Sequence, residues 1–91
     1  MSKTKTPTAQ QVFERDVVQS AVEWSAFVRI GAGEKHVDHF PSRGGAVARA
    51  RDFTAGTGRP SLVYAISADG RSVLAGTVNR QGEWQPCTIA G

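Results

Sequence analysis

The sequence predicts an α+β domain, an antiparallel four-stranded sheet in the order ββαββ with one helix packed on one face. Three observations carry that prediction. WSAFVRI, residues 24–30, alternates its side chains between two faces with a period of two, as a half-buried strand does. Ser42 precedes Ala46, Val47, Ala50, Phe53 and Thr54, which fall on one side of a helix running to about residue 55. Asp69-Gly70, a strong hairpin signal, separates the strand-like runs SLVYAIS and RSVLAGTV.

Residues 1–7 are polar, contain Pro7 and lack periodicity, so they read as a flexible tail. Residues 8–22 form an N-terminal segment with two readings. Thr8 and Gln11 have the spacing of a capping box, and Phe13, Val17 and Ala21 recur every fourth residue, which suits an extra helix over 9–21. The β-branched Val12, Val17, Val18 and Val22 suit instead an extension of the strand that follows.

In that strand Trp24, Ala26, Val28 and Ile30 point one way and Ser25, Phe27 and Arg29 the other. Gly31-Ala32-Gly33 supplies a turn, EKHVDHF (34–40) returns as the second strand, and Pro41 stops the pairing. Gly56 and Gly58 offer the left-handed conformation that ends helices, and Pro60 prevents continuation. Leu62, Tyr64 and Ile66 alternate with Ser61, Val63 and Ala65 in the third strand. A fourth strand follows Asp69-Gly70, and after a turn at Asn79–Gly82 the pair Glu83-Trp84 can add a short final strand before Pro86. The ββαββ domain therefore spans 23–86, with 87–91 as a C-terminal tail.

Ninety-one residues with 40% hydrophobic and 21% charged side chains make one globular domain with a modest core. A chain this short buries a small share of its surface, and a homodimer would supplement its stability. Eleven Lys and Arg against eight Asp and Glu give +3, a small basic protein with a mild preference for polyanions. The single cysteine, Cys87, offers neither an internal disulfide nor a Cys-based metal site, which points to a reducing cytoplasm. No apolar run follows the N-terminal lysines and no window approaches a membrane span, so a soluble, cytoplasmic protein without membrane contact is expected.

Most catalytic arrangements fail on spacing. His36, Asp38 and His39 resemble a metal cluster, but on a strand His36 and Asp38 share one face and His39 takes the other. Gly31-Ala32-Gly33 begins like a dinucleotide fingerprint, yet His36 stands where the third glycine belongs. Gly56-Thr57-Gly58-Arg59 lacks the spacing of a phosphate loop. Cys87 sits too close to the C-terminus for a preorganised nucleophile. The expectation is a non-catalytic protein with no cofactor, no metal and no catalytic residues.

Two surfaces remain. If the helix covers Trp24, Val28, Ile30, Leu62, Tyr64 and Ile66, the opposite face presents Phe27, Val63, Val73 and Ala75 as a protein interface, for a foreign partner or a second copy. The alternative is charge-driven nucleic-acid or anion binding. Arg29, Lys35, Arg71 and Arg80 would contact phosphates from strands and turns, while Ser42, Arg43 and Gly44 surround unpaired N–H groups at a helix start. Arg49 and Arg51 flank opposite sides of the helix and make no basic stripe.

Trp24, Phe40, Ala46-x-x-x-Ala50-Arg51 and Asp69-Gly70-Arg71, across about residues 24–72, resemble a group of small uncharacterised bacterial ββαββ domains. The order of elements, with Leu74-Ala75 in a late strand and Gly82-Glu83-Trp84 near the end, is also similar to some small phage anti-CRISPR proteins. That second resemblance implies a mobile-element regulator or inhibitor that acts by binding a protein complex, with no catalytic residues.

Overall fold

The computed structural model describes residues 9–87 and runs α1 (Ala9–Gln19), β1 (Ala21–Gly31), β2 (Glu34–Phe40), α2 (Arg43–Thr57), β3 (Ser61–Ser67), β4 (Ser72–Val78) and β5 (Trp84–Pro86). The tail expected at 1–7 lies outside those residues, as does all of 87–91 except Cys87. The Cys87 N–H donates to the Ala75 carbonyl at 2.9 Å, so the chain is still tied to β4 at that point. The N-terminal segment divides between its two readings. It is helical through Gln19, turns at Ser20, whose N–H and hydroxyl both donate to the Asp16 carbonyl, and is already extended at Val22.

The architecture is α+β with one antiparallel sheet, but the sheet has five strands rather than four, in the order β2-β1-β3-β4-β5. The fifth forms because the turn after Asn79 brings Trp84 opposite Val78 and Pro86 opposite Gly76. A proline is tolerated there because β5 is an edge strand, where a missing N–H breaks no ladder. Both C-terminal hairpins use the same three-residue loop. Gly70 and Gly82, at φ of 90° and 83°, donate to the Ser67 and Asn79 carbonyls, and Ser67 and Asn79 donate to the Arg71 and Glu83 carbonyls. This is a turn closed by a left-handed glycine, and the Asp69-Gly70 signal marks its end.

Helix α2 forms where the sequence places it. Ser42 accepts from the Gly45 N–H at 3.2 Å, and Gly58 ends the helix with its N–H on the Thr54 carbonyl at 2.8 Å. Its five buried residues are the five anticipated, Ala46, Val47, Ala50, Phe53 and Thr54. They pack on Trp24, Ala26 and Val28 of β1 and on Val63 and Ala65 of β3, while Val18 of α1 joins the same cluster. Thr54 and Ser61 satisfy each other's buried hydroxyls at 2.9 Å.

The faces of β3 and β4 are the reverse of those expected. Val63 and Ala65 are fully buried under the helices, and Val73 and Ala75 are 8% and 7% exposed. Leu62, Tyr64, Ile66 and Leu74 point to the other side. Cross-strand register fixes this, because Ala26 pairs with Val63 and Trp24 with Ala65, so these small residues share the face that α2 covers. An alanine-rich helix sits close to its sheet and has room beneath it only for small side chains. Val63, Val73 and Ala75 are therefore core, not interface.

Candidate functional site

The uncovered face is built from three neighbouring pairings. Phe27 stands between Val37 on β2 and Leu62 on β3, Ser25 stands between His39 and Tyr64, and Tyr64 in turn faces Leu74 on β4. Ile66 extends the row opposite Glu23. Phe27, Val37, Leu62, Tyr64, Ile66 and Leu74 thus form a continuous apolar field, each side chain at least partly exposed, with Val37 at 38%. No described helix lies over it, since α1 and α2 both pack on the core cluster beneath the opposite face.

At one end this face deepens into a concavity of about 780 Å³, with Phe27, Leu62 and Tyr64 lining one part and Arg29, Arg59 and Arg80 another. Three separate pieces of chain supply the arginines, namely the end of β1, the loop after α2 and the β4–β5 turn. The Phe27 and Tyr64 rings meet edge to face, with centroids 6.5 Å apart and planes at 88°. The Lys35 ammonium lies 6.0 Å from the Phe27 ring, adding a fourth positive charge beside the concavity. The one hydroxyl of the loop side, Thr57, donates to the Phe53 carbonyl at 2.7 Å.

Several of the charges elsewhere are paired, although Arg43 and Arg51 on α2 have no ion pair among the described residues. Arg49 Nε donates to Asp38 at 2.7 Å while its guanidinium covers the Phe53 ring at 4.7 Å. Arg71 lies between Asp69 and Asp16, at 2.9 and 3.3 Å, and over the Phe13 ring at 5.5 Å. Asp69 accepts from the Ser67 hydroxyl and then from Arg71, and these bonds lower its pKa from 3.8 to about 2; the same carboxylate raises that of Arg71. His39 Nδ1 lies 2.7 Å from Glu23. Arg29, Arg59 and Arg80 differ from these paired groups, because no ion pair joins them to a carboxylate among the described residues.

Of the residues singled out in the sequence, the structure brings together Phe27, Arg29 and Arg80, with Lys35 alongside. Arg71 is held at the opposite end of the sheet by its two aspartates. Ser42 is occupied in capping α2, and Arg43 and Gly44 are exposed at that helix start. His36 stacks on Phe53 at 5.8 Å, on the α2 side with Asp38, whereas His39 turns to the open face. Among the described residues no group of three His, Cys, Asp or Glu is placed to hold a metal ion, and no helix is long and apolar enough to cross a membrane.

Arg59 and the open-face side chains Val37, Leu62, Tyr64, Ile66 and Leu74 are the site residues that sequence reasoning missed. Arg59 lies in a loop and joins the others only through the tertiary fold, whereas Tyr64 was assigned to the wrong face. No family model, no curated protein and no solved structure matches the chain.

Proposed function

We propose that this protein is a non-catalytic binding module whose working surface is the open face of its sheet. One observation carries the reading: β3 turns Val63 and Ala65 to the core and its bulkier Leu62, Tyr64 and Ile66 outward, where no described element covers them. Burying such side chains gives about 1.5–3 kcal/mol each, and a fold that leaves several of them partly exposed forgoes part of that gain. Apolar surface kept outward in this way marks a contact site for another macromolecule. The concavity at its end is lined by rings and guanidinium groups, and its Thr57 hydroxyl is committed to the backbone, which is the equipment of recognition rather than of bond-breaking.

Leu74→Asp tests the surface without touching the core. Wild-type and variant proteins, immobilised and exposed to the same cell extract, should differ, with the wild type retaining macromolecular material that the variant loses. Circular dichroism should find both equally folded. Equal retention by the two folded proteins, or retention by neither, refutes the open face as the working surface.

A further inference from the structure

We infer that the open face takes single-stranded nucleic acid, with Arg29, Arg59 and Arg80 holding phosphates at the concavity while Phe27 and Tyr64 receive unstacked bases. The inference rests on the reading of that face as the working surface and names its partner. Like charges gathered around one concavity repel one another, and none of the three bridges to a carboxylate among the described residues; what sets them apart from the scattered Arg43 and Arg51 is that they converge. Glu34 is the nearby acid, beside Lys35 and Arg29 in a smaller neighbouring hollow, and no ion pair joins it to either. A polyanion supplies the missing negative charge and gains the entropy of released counterions.

The class of polyanion follows from the rings. Phe27 and Tyr64 meet edge to face and both side chains stay partly exposed, so ring surface remains for a base. In a duplex the bases are stacked and their faces are hidden, whereas a single strand can lay them on an aromatic platform beside a positive groove. Arginine also presents a planar fork that fits a phosphate through two hydrogen bonds, which a lysine point charge does not. A second copy of the chain fits less well. Stacking two faces about an axis along the strands would bring the arginine ends together. An axis across the strands would set them against Glu23, which His39 already holds at 2.7 Å.

Anisotropy of fluorescein-labelled oligothymidylate, oligouridylate and a duplex of equal length, read across a salt series, tests this. The single strands should bind more tightly than the duplex. The logarithm of their affinity should fall linearly with that of the salt concentration, and Arg29→Gln, Arg59→Gln or Arg80→Gln should each reduce the slope by about 0.7. Tyr64→Ala should weaken binding by about five- to a hundredfold with the slope unchanged, because it removes stacking and no charge. Arg51→Gln, on α2 beneath the other face, should leave the affinity as it was. Equal loss in that control, or duplex binding as strong as single-strand binding, overturns the inference in favour of unspecific attraction to net charge. Absence of binding at the lowest salt overturns it too, and if Leu74→Asp still loses retained protein the open face stands with a protein partner instead.

Discussion

Asp placed at residue 63 and at residue 62 should have unequal consequences, although the two positions are adjacent on β3. Val63 is fully buried, opposite Ala26 on the face that α2 covers. Val63→Asp forfeits the valine's burial, about 1.5–3 kcal/mol. Even a protonated carboxyl without a partner then adds about 1–3 kcal/mol, and the ionised form costs more. The sum, about 3–6 kcal/mol, is comparable with the roughly 5–15 kcal/mol that separates a native domain from its unfolded chain, where so small a domain sits low in the range. Leu62→Asp instead places a solvated charge on the open face, within the concavity that holds Arg29, Arg59 and Arg80. It forfeits only the covered part of a half-buried leucine and should cost about 1–2 kcal/mol, well below the cost at residue 63. Urea unfolding, followed by tryptophan fluorescence and far-ultraviolet circular dichroism, separates the two. Loss of the folded baseline in Leu62→Asp with a normal transition in Val63→Asp would show that the faces of β3 are the other way round.

Gly76→Ala should destabilise by about 1–3 kcal/mol, because the new Cβ would stand 2.7 Å from the Gln85 carbonyl oxygen and closer still to the Trp84 ring. Gly44→Ala, in open space on α2, should stabilise by about 0.5–1 kcal/mol; the same urea midpoints read both, and an unchanged midpoint for Gly76→Ala would contradict the β4–β5 packing. Asp69 should titrate at about 2 in the folded protein, below its ordinary 3.8, which carboxyl NMR shifts measure directly. The folded state then binds fewer protons than the unfolded one, so this stabilisation is present above about pH 4 and fades as pH falls through 2; Asp69→Asn should flatten that part of the stability curve. A carboxyl midpoint near 4 would refute the Ser67 and Arg71 bonds as its cause.

Helix α2 was legible in the sequence because its signals are local. Ser42 caps, Gly58 terminates, and the apolar residues between them repeat with the helical period. The sheet faces were only half legible. In β1 the alternation is asymmetric, with Trp24, Ala26 and Val28 against Ser25 and Arg29, and it was assigned correctly. In β3, Leu62, Val63, Tyr64, Ala65 and Ile66 are all apolar, so period two gives two faces and no preference between them. Size decided it, through the close approach of α2, and size works across elements rather than along the chain. The irregularity opposite Val63 and Tyr64 hid β4 further. Ala75 and Gly76 are both buried there, and Leu74 and Thr77, three residues apart, share the open face. Arg71 did carry a local warning. Asp69 stands two residues before it across the turn, close enough to claim the guanidinium.

On the proposed reading, the separation of small and large side chains between the two faces also separates stability from recognition. The interior is made chiefly of valine and alanine, with Trp24 and Phe53 as its large members, and it closes without any contribution from Phe27, Leu62, Tyr64, Ile66 or Leu74. Folding alone therefore gives those five less reason to be apolar than it gives the core residues. Polar replacements on the open face would give up the covered part of each side chain but would protect the sheet from unwanted contacts. The arginines strengthen the point, because Arg49 and Arg71 are tied into the fold by aspartates whereas Arg29, Arg59 and Arg80 converge beside the two partly exposed rings. Apolar rings and uncompensated cations in one place each cost the isolated chain something. Both costs are recovered when a partner brings flat apolar groups and negative charge together, and a single strand of nucleic acid brings them in alternation along its length.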